Sequence, residues 1–301
     1  GRATRTCVAE ITQGWLTSMD GLTVLVILGC ACATALLNCG LRNQSDPLAA
    51  AFIVSTGGAI VALPALAFTG LPGIETVPYL AVSTLLGATY WIFLGRAYSS
   101  GEICIVFPLA FGSAPVLILL FSDPVFQETL SASQLAVIFF ICAGLLLVVL
   151  SSAGNLSDLN RHTLINSIAV TAIICAYTIC DALAVRKSGT PLAYTVFLYI
   201  SSGVVVLCYS MLRHRDRLIA ALQRNGSAGM LWGSLSLLSY CGELWAMTRA
   251  PVALISALRE TSILFAVLIA VLWLKEPLKP GRMAGAGVVG FGLVLMRLAG
   301  G

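Results

Sequence analysis

The sequence predicts an all-α integral membrane protein of ten transmembrane helices, arranged as two inverted five-helix repeats. Three observations carry this. Of 301 residues, 58% are hydrophobic and only 10% are charged, against about 25% charged in a typical soluble domain. Ten apolar windows approach the roughly 20 residues that a helix needs to cross the hydrocarbon core. Polar motifs recur at one fixed offset in the two halves. Ten buried soluble helices are no alternative, because too few residues would remain to cover them with a polar surface.

Taken in order, the windows of the first half are 22–41, 47–69, 77–94, 103–122 and 135–151, and those of the second are 164–185, 193–212, 228–248, 252–274 and 283–298. Residues 1–21 read as a short polar tail without the apolar stretch of a signal peptide. The chain starts at Gly1 rather than Met, which suggests a trimmed start. Residues 22–151 form the first five-helix unit, 152–163 a polar linker, and 164–298 the second unit. The last window is short, and the stems of Arg282 and Arg297 can extend it by snorkelling.

The repeat is read from paired motifs. Residues 97–103 (AYSSGEI) precede the fourth window and 246–252 (AMTRAPV) the ninth, while 127–131 (QETLS) follow the fourth and 275–279 (KEPLK) the ninth, an offset of 148 to 149. Five is an odd number of crossings, so the second unit enters the membrane in the opposite sense. Inverted repeats of this kind are common among secondary transporters.

Those motifs resemble the EamA-type transporters of the drug/metabolite transporter superfamily. The resemblance runs from 97 to 150 in the first half and, more closely, from 246 to 295 in the second, with its Glu-containing turn and Gly-rich closing segment. It implies ten helices, a central cavity between the halves, and transport of a small molecule driven by an ion gradient or by exchange. The stretch Leu258 to Ser262 (LRETS) is similar to a branch of the family found beside phosphonate-utilisation genes. The resemblance also implies the inner membrane of a bacterium, with both termini in the cytoplasm. Charge argues the other way. Arg2, Arg5, Arg186, Lys187, Arg249 and Arg297 fall on the face of the termini and ten basic residues on the opposite face, where the positive-inside rule would put the cytoplasm.

Charges inside a span are costly and usually face a cavity or a partner. Four occur, all in the second half: Asp181, Glu243, Arg259 and Glu260. Arg259 and Glu260 are sequence neighbours, which on a continuous helix point about 100° apart, so each is expected to need its own partner. Arg259 suits a carboxylate or phosphate of a substrate, or else a buried ion pair with Glu243 or Asp181. Glu260 and Glu243 are candidate proton-coupling carboxylates, or satisfied structural acids. Asp181 is a further coupling candidate, but with Arg186 and Lys187 close behind it reads first as an interfacial charge. In the first half Asn38, Tyr90 and Trp91 are the candidate substrate-binding residues; a helix-end Asn and interfacial aromatics are the plain alternative. Pro108 and Pro115 read as hinges or tolerated kinks within the fourth window.

Small residues crowd the last window, including a G-x-x-x-G at Gly281 and Gly285, and read as a face packed on the fifth helix or on a second subunit. The ten cysteines show no metal spacing, and no phosphate-binding loop is present. No cofactor or metal is therefore expected. An intramembrane enzyme would need a nucleophile with a base, and the only histidines, His162 and His214, fall between windows. The expected partners are a small polar solute, anionic or zwitterionic, the lipid bilayer and protons, but not nucleic acid. The chain is expected to act as a monomer or homodimer. Flipping of a lipid headgroup or lipid intermediate is the rival to solute transport, and a non-transporting scaffold would leave the four charges without a purpose.

Overall fold

The computed structural model describes residues 20–42, 44–100, 111–152, 161–272 and 280–299. These residues form helices joined by short turns, with no strand among them. The helices are α1 (Gly21–Arg42), α2 (Pro47–Ala62), α3 (Val77–Ser100), α4 (Ala114–Phe126), α5 (Ala132–Ser152), α6 (Arg161–Ser188), α7 (Pro191–Arg213), α8 (Arg215–Met247), α9 (Val252–Arg259), α10 (Ser262–Leu272) and α11 (Pro280–Ala299). Among the described residues, five stretches are long and apolar enough to cross a membrane: Gly21–Leu41, Pro47–Thr69, Ile74–Ser99, Arg161–Ser188 and Pro191–Arg213; α4, α5 and α11 supply shorter apolar segments.

Local chemistry sets the helix ends. Asp46 caps α2, accepting from the Ala49 amide at 3.1 Å, with Pro47 in the first turn. Pro191 opens α7 in the same way. Pro115 lies in the first turn of α4, so it starts a helix rather than kinking one; Pro108 lies outside the described residues. Gln127 closes α4 with a left-handed φ of 55°, and the amides of Gln127 and Glu128 bond back to Asp123 and Ser122 at 3.0 and 3.1 Å.

Several expected boundaries move. The helix of the sixth window begins at Arg161, so His162 is helical rather than in the linker. His214 marks the break between α7 and α8, its ring stacked on Phe52 with centroids 5.7 Å apart. The eighth segment starts earlier than its apolar window and kinks at Asn225, where the backbone leaves helical geometry. The ninth is two helices, α9 and α10, with a turn at residues 260–261. The N-terminal tail, most of the linker and the turn at residues 275–279 fall outside the described residues.

The core is apolar, but it also holds charges, and large apolar residues cover the outside. Asp181, Glu243, Arg259 and Glu260 are buried, whereas Phe68, Leu71, Ile74 and Leu212 are each more than 80% exposed. Large apolar residues on the outside and ion pairs within suit a lipid surround. Helices approach closely where both sides are glycine. On α2 and α8, Gly57 and Gly58 lie against the backbone of Gly229 and Gly233. On α5 and α11, Gly144 and Gly285 lie against each other's backbone, and Gly281 meets Ser151. The glycines of α11 thus pack internally on α5. Gly287 and Gly290 instead face open space.

Candidate functional site

A cavity of about 100 Å³ sits among α1, α3, α6, α7, α8 and α9, and Phe111 also lines it. Asn38, Tyr90, Trp91, Asp181, Glu243 and Arg259 all reach its wall, so six of the seven residues singled out in the sequence meet in one place. The seventh, Glu260, is 2% exposed and binds Arg259 from behind.

The guanidinium of Arg259 is held on two sides. Its Nη1 donates to Glu243 Oε1 at 2.7 Å, and its Nε and Nη2 donate to Glu260 Oε1 at 3.1 and 3.0 Å. The expectation that Arg259 and Glu260 diverge is therefore corrected. That expectation assumed an unbroken helix, but α9 ends at Arg259 and the next two residues form a turn. The amides of Glu260 and Thr261 bond to Ala257 and Leu258 at 3.1 Å each, a tight turn that swings Glu260 back onto its neighbour. A charge-assisted fork of this kind is strong and geometrically specific.

Asp181 is also corrected. It is fully buried rather than interfacial. Its two carboxylate oxygens accept from the hydroxyls of Tyr194 and Tyr240 at 2.6 and 2.5 Å. The basic residues behind it turn elsewhere: Arg186 pairs with Glu128 at 2.6 Å, and Lys187 lies over the Tyr79 ring at 5.7 Å.

Asn38 is tied down, donating to the Thr34 carbonyl at 2.8 Å and accepting from the Tyr98 hydroxyl at 2.9 Å. These two bonds fix its orientation and leave one N–H and one oxygen lone pair for a ligand. Tyr90 stands at the centre of an aromatic lining, edge-on to Trp91, Phe111 and Tyr177 with centroids 5.3, 6.4 and 5.8 Å apart. The lining continues from Tyr177 to Tyr240 at 5.9 Å, and from Tyr240 to Tyr199 at 6.2 Å.

Sequence reasoning missed Tyr177, Tyr199, Tyr240 and Phe111. A signal was available, since aromatics in the middle of apolar windows of the second half are as noteworthy as Tyr90 in the first. Phe111 lies 148 residues before Arg259, the offset of the repeat, and a turn at Ser113 follows it just as a turn follows Arg259.

The cavity has a mixed chemistry. Aromatic faces can cover an apolar body or a cation. Arg259 can bind an anionic group, and Glu243 or Asp181 a cationic one.

Residues 163–298 match the family model described as the EamA-like transporter family. A search of curated proteins finds no match. Among solved structures, 29 chains match. One, described only as the crystal structure of a protein, is similar with a TM-score of 0.72 and 16% sequence identity, covering 93% of this chain and 99% of its own. At that identity the likeness concerns the fold.

Proposed function

We propose that this chain, whose residues 163–298 match the EamA-like transporter family model, is a multi-pass membrane transporter that carries a small zwitterionic solute by alternating access of two inverted five-helix halves. The observation that carries this is the guanidinium of Arg259, shared by Glu243 and Glu260 on the wall of an aromatic cavity.

Charge balance selects the solute. Among the described residues, the buried charges of this region are three carboxylates and one guanidinium. A purely anionic solute would enter a region already short of positive charge. It would also free a carboxylate from Arg259, and an uncompensated buried charge costs roughly 3–5 kcal/mol. A zwitterion avoids both costs, because its anionic group takes an edge of Arg259 while its cationic group takes Glu243. The aromatic lining then covers the body of the solute. The excess of carboxylates leaves room for a proton as co-substrate, with Glu243, Glu260 and Asp181 the candidates.

Packing supports the inverted-repeat part. Exchanging α1 with α6, α2 with α7, α3 with α8, α4 with α9 and α10, and α5 with α11 maps the most extensive helix pairs onto observed pairs. Thus α3 on α6 has its counterpart in α8 on α1, and α2 on α8 in α7 on α3. The contacts α2 on α7, α4 on α9 and α5 on α11 are their own counterparts. The two turns in corresponding segments, at Ser113 and at residues 260–261, lie beside the cavity, where interrupted helices of transporters bind substrate.

The test is uptake into proteoliposomes under an imposed pH gradient, with amino acids, aminophosphonates and organic cations as the panel. Wild type should carry a zwitterion, and Arg259→Ala and Glu260→Gln should each lower its flux by at least about tenfold, the effect of losing one charge-assisted contact. Full flux in both folded variants would sink the site. Failure to move any water-soluble solute would bring forward lipid-headgroup flipping.

A further inference from the structure

Glu128 and Arg186 meet at one end of the bundle, away from the cavity wall. Arg186 closes α6, and its Nη2 lies 2.6 Å from Glu128 Oε1. The same guanidinium donates from Nε to the Met247 carbonyl at 2.7 Å and from Nη2 to the Ala250 carbonyl at 2.9 Å, filling the turn between α8 and α9. It also lies over the Phe126 ring at 5.2 Å, at the end of α4. Glu128 accepts the Val252 amide, at 3.3 Å to Oε1 and 3.1 Å to Oε2, and so caps the first turn of α9.

One ion pair thus ties together the ends of α4, α6 and α8 and the start of α9. Of these, α6, α8 and α9 present Tyr177, Asp181, Glu243 and Arg259 to the cavity. The cap on α9 acts across the halves, because Glu128 belongs to the first and Val252 to the second. Both side chains are largely shielded, at 22% exposure for Arg186 and 11% for Glu128, so the pair is less screened than one at an open surface. Its position on this end is fixed by the left-handed Gln127, which turns the chain so that Glu128 points back at α9.

We propose that Glu128 and Arg186 form a gate latch, which holds the cavity shut toward the face carrying the turns after α4, α6 and α8 and must release for the cavity to open there. This rests on the alternating-access reading above. It predicts a specific asymmetry. Weakening the latch raises access from its own face and not from the opposite one, whereas general loosening of the fold raises both.

The test replaces all ten cysteines, places one reporter as Ser202→Cys in the cavity wall, and measures labelling by a membrane-impermeant maleimide from each face of proteoliposomes. Glu128→Gln is expected to raise the labelling rate from the latch face about tenfold, as expected when one charge-assisted contact is lost, and to leave the other face unchanged. Arg186→Lys retains the charge opposite Glu128 and loses the fork onto the two carbonyls. It guards against misfolding of the first variant and should give an intermediate one-sided rise. Equal rates in parent and variants, or a rise from both faces, would overturn the latch. Because labelling needs no transported solute, a one-sided rise without any zwitterion flux would keep the latch and reject the proposed substrate.

Discussion

At the scale of the residue, Arg259 concentrates the chemistry. It gives three N–H groups to two carboxylates within 3.1 Å. A lysine keeps the charge but presents a point rather than a planar fork, so it cannot serve both partners in this geometry. Arg259→Lys is expected to destabilise the protein by about 1–3 kcal/mol, the worth of a charge-assisted hydrogen bond, and to raise KM for the solute more than it lowers kcat. Melting followed by size-exclusion chromatography reads the first, and concentration-dependent flux reads the second. An unchanged KM would mean that the guanidinium serves the fold rather than the solute. Asp181 makes a contrasting case. With both oxygens taken by tyrosine hydroxyls, it behaves as a satisfied buried acid whose neighbours, not its sequence context, decide its role.

At the scale of the element, glycine seams and helix breaks determine what touches what. On α11 the glycines are not equivalent. A Cβ at Gly285 would meet Val148 and the Gly144 carbonyl, whereas one at Gly287 would meet open space. Gly285→Val is expected to cost about 1–3 kcal/mol through overpacking, and Gly287→Val to be tolerated. Paired thermal melts in detergent check this, and equal melting temperatures would contradict the seam. A similar seam on α8, Gly229 and Gly233, is also a G-x-x-x-G, and the motif was legible in the sequence. It lies near the start of its helical window, just after the Asn225 kink. The break after α9 was not legible. No proline or glycine marks residues 260–261; the turn is sustained by the ion pair it creates.

At the scale of the whole molecule, the cavity lies where helices of the first and second halves of the chain meet. The proposed ten crossings would leave both ends of the chain on one face. Tags at the two ends, probed by protease in sealed vesicles, are expected to be cut or protected together. Opposite behaviour would remove one crossing and with it the inverted repeat. The lining of the cavity comes from both halves, Tyr90 and Trp91 from one and Glu243 and Arg259 from the other. A relative motion of the halves therefore changes the site itself, which is how solute binding can bias the two states.

Composition and window length alone determined that this protein lives in a membrane, because so apolar a chain has no other way to satisfy its surface. The fixed offset of the motifs indicated the repeat, and the rarity of charge within the spans pointed to Asp181, Glu243, Arg259 and Glu260. Pairing was beyond the sequence. Helical periodicity separated Arg259 from Glu260, and a local break brought them together. Proximity to Arg186 suggested an interface for Asp181, yet Arg186 is drawn away to Glu128 and the carbonyls of another turn. Such choices depend on which partners the packing of distant segments brings within hydrogen-bonding reach, and only the tertiary structure supplies those distances.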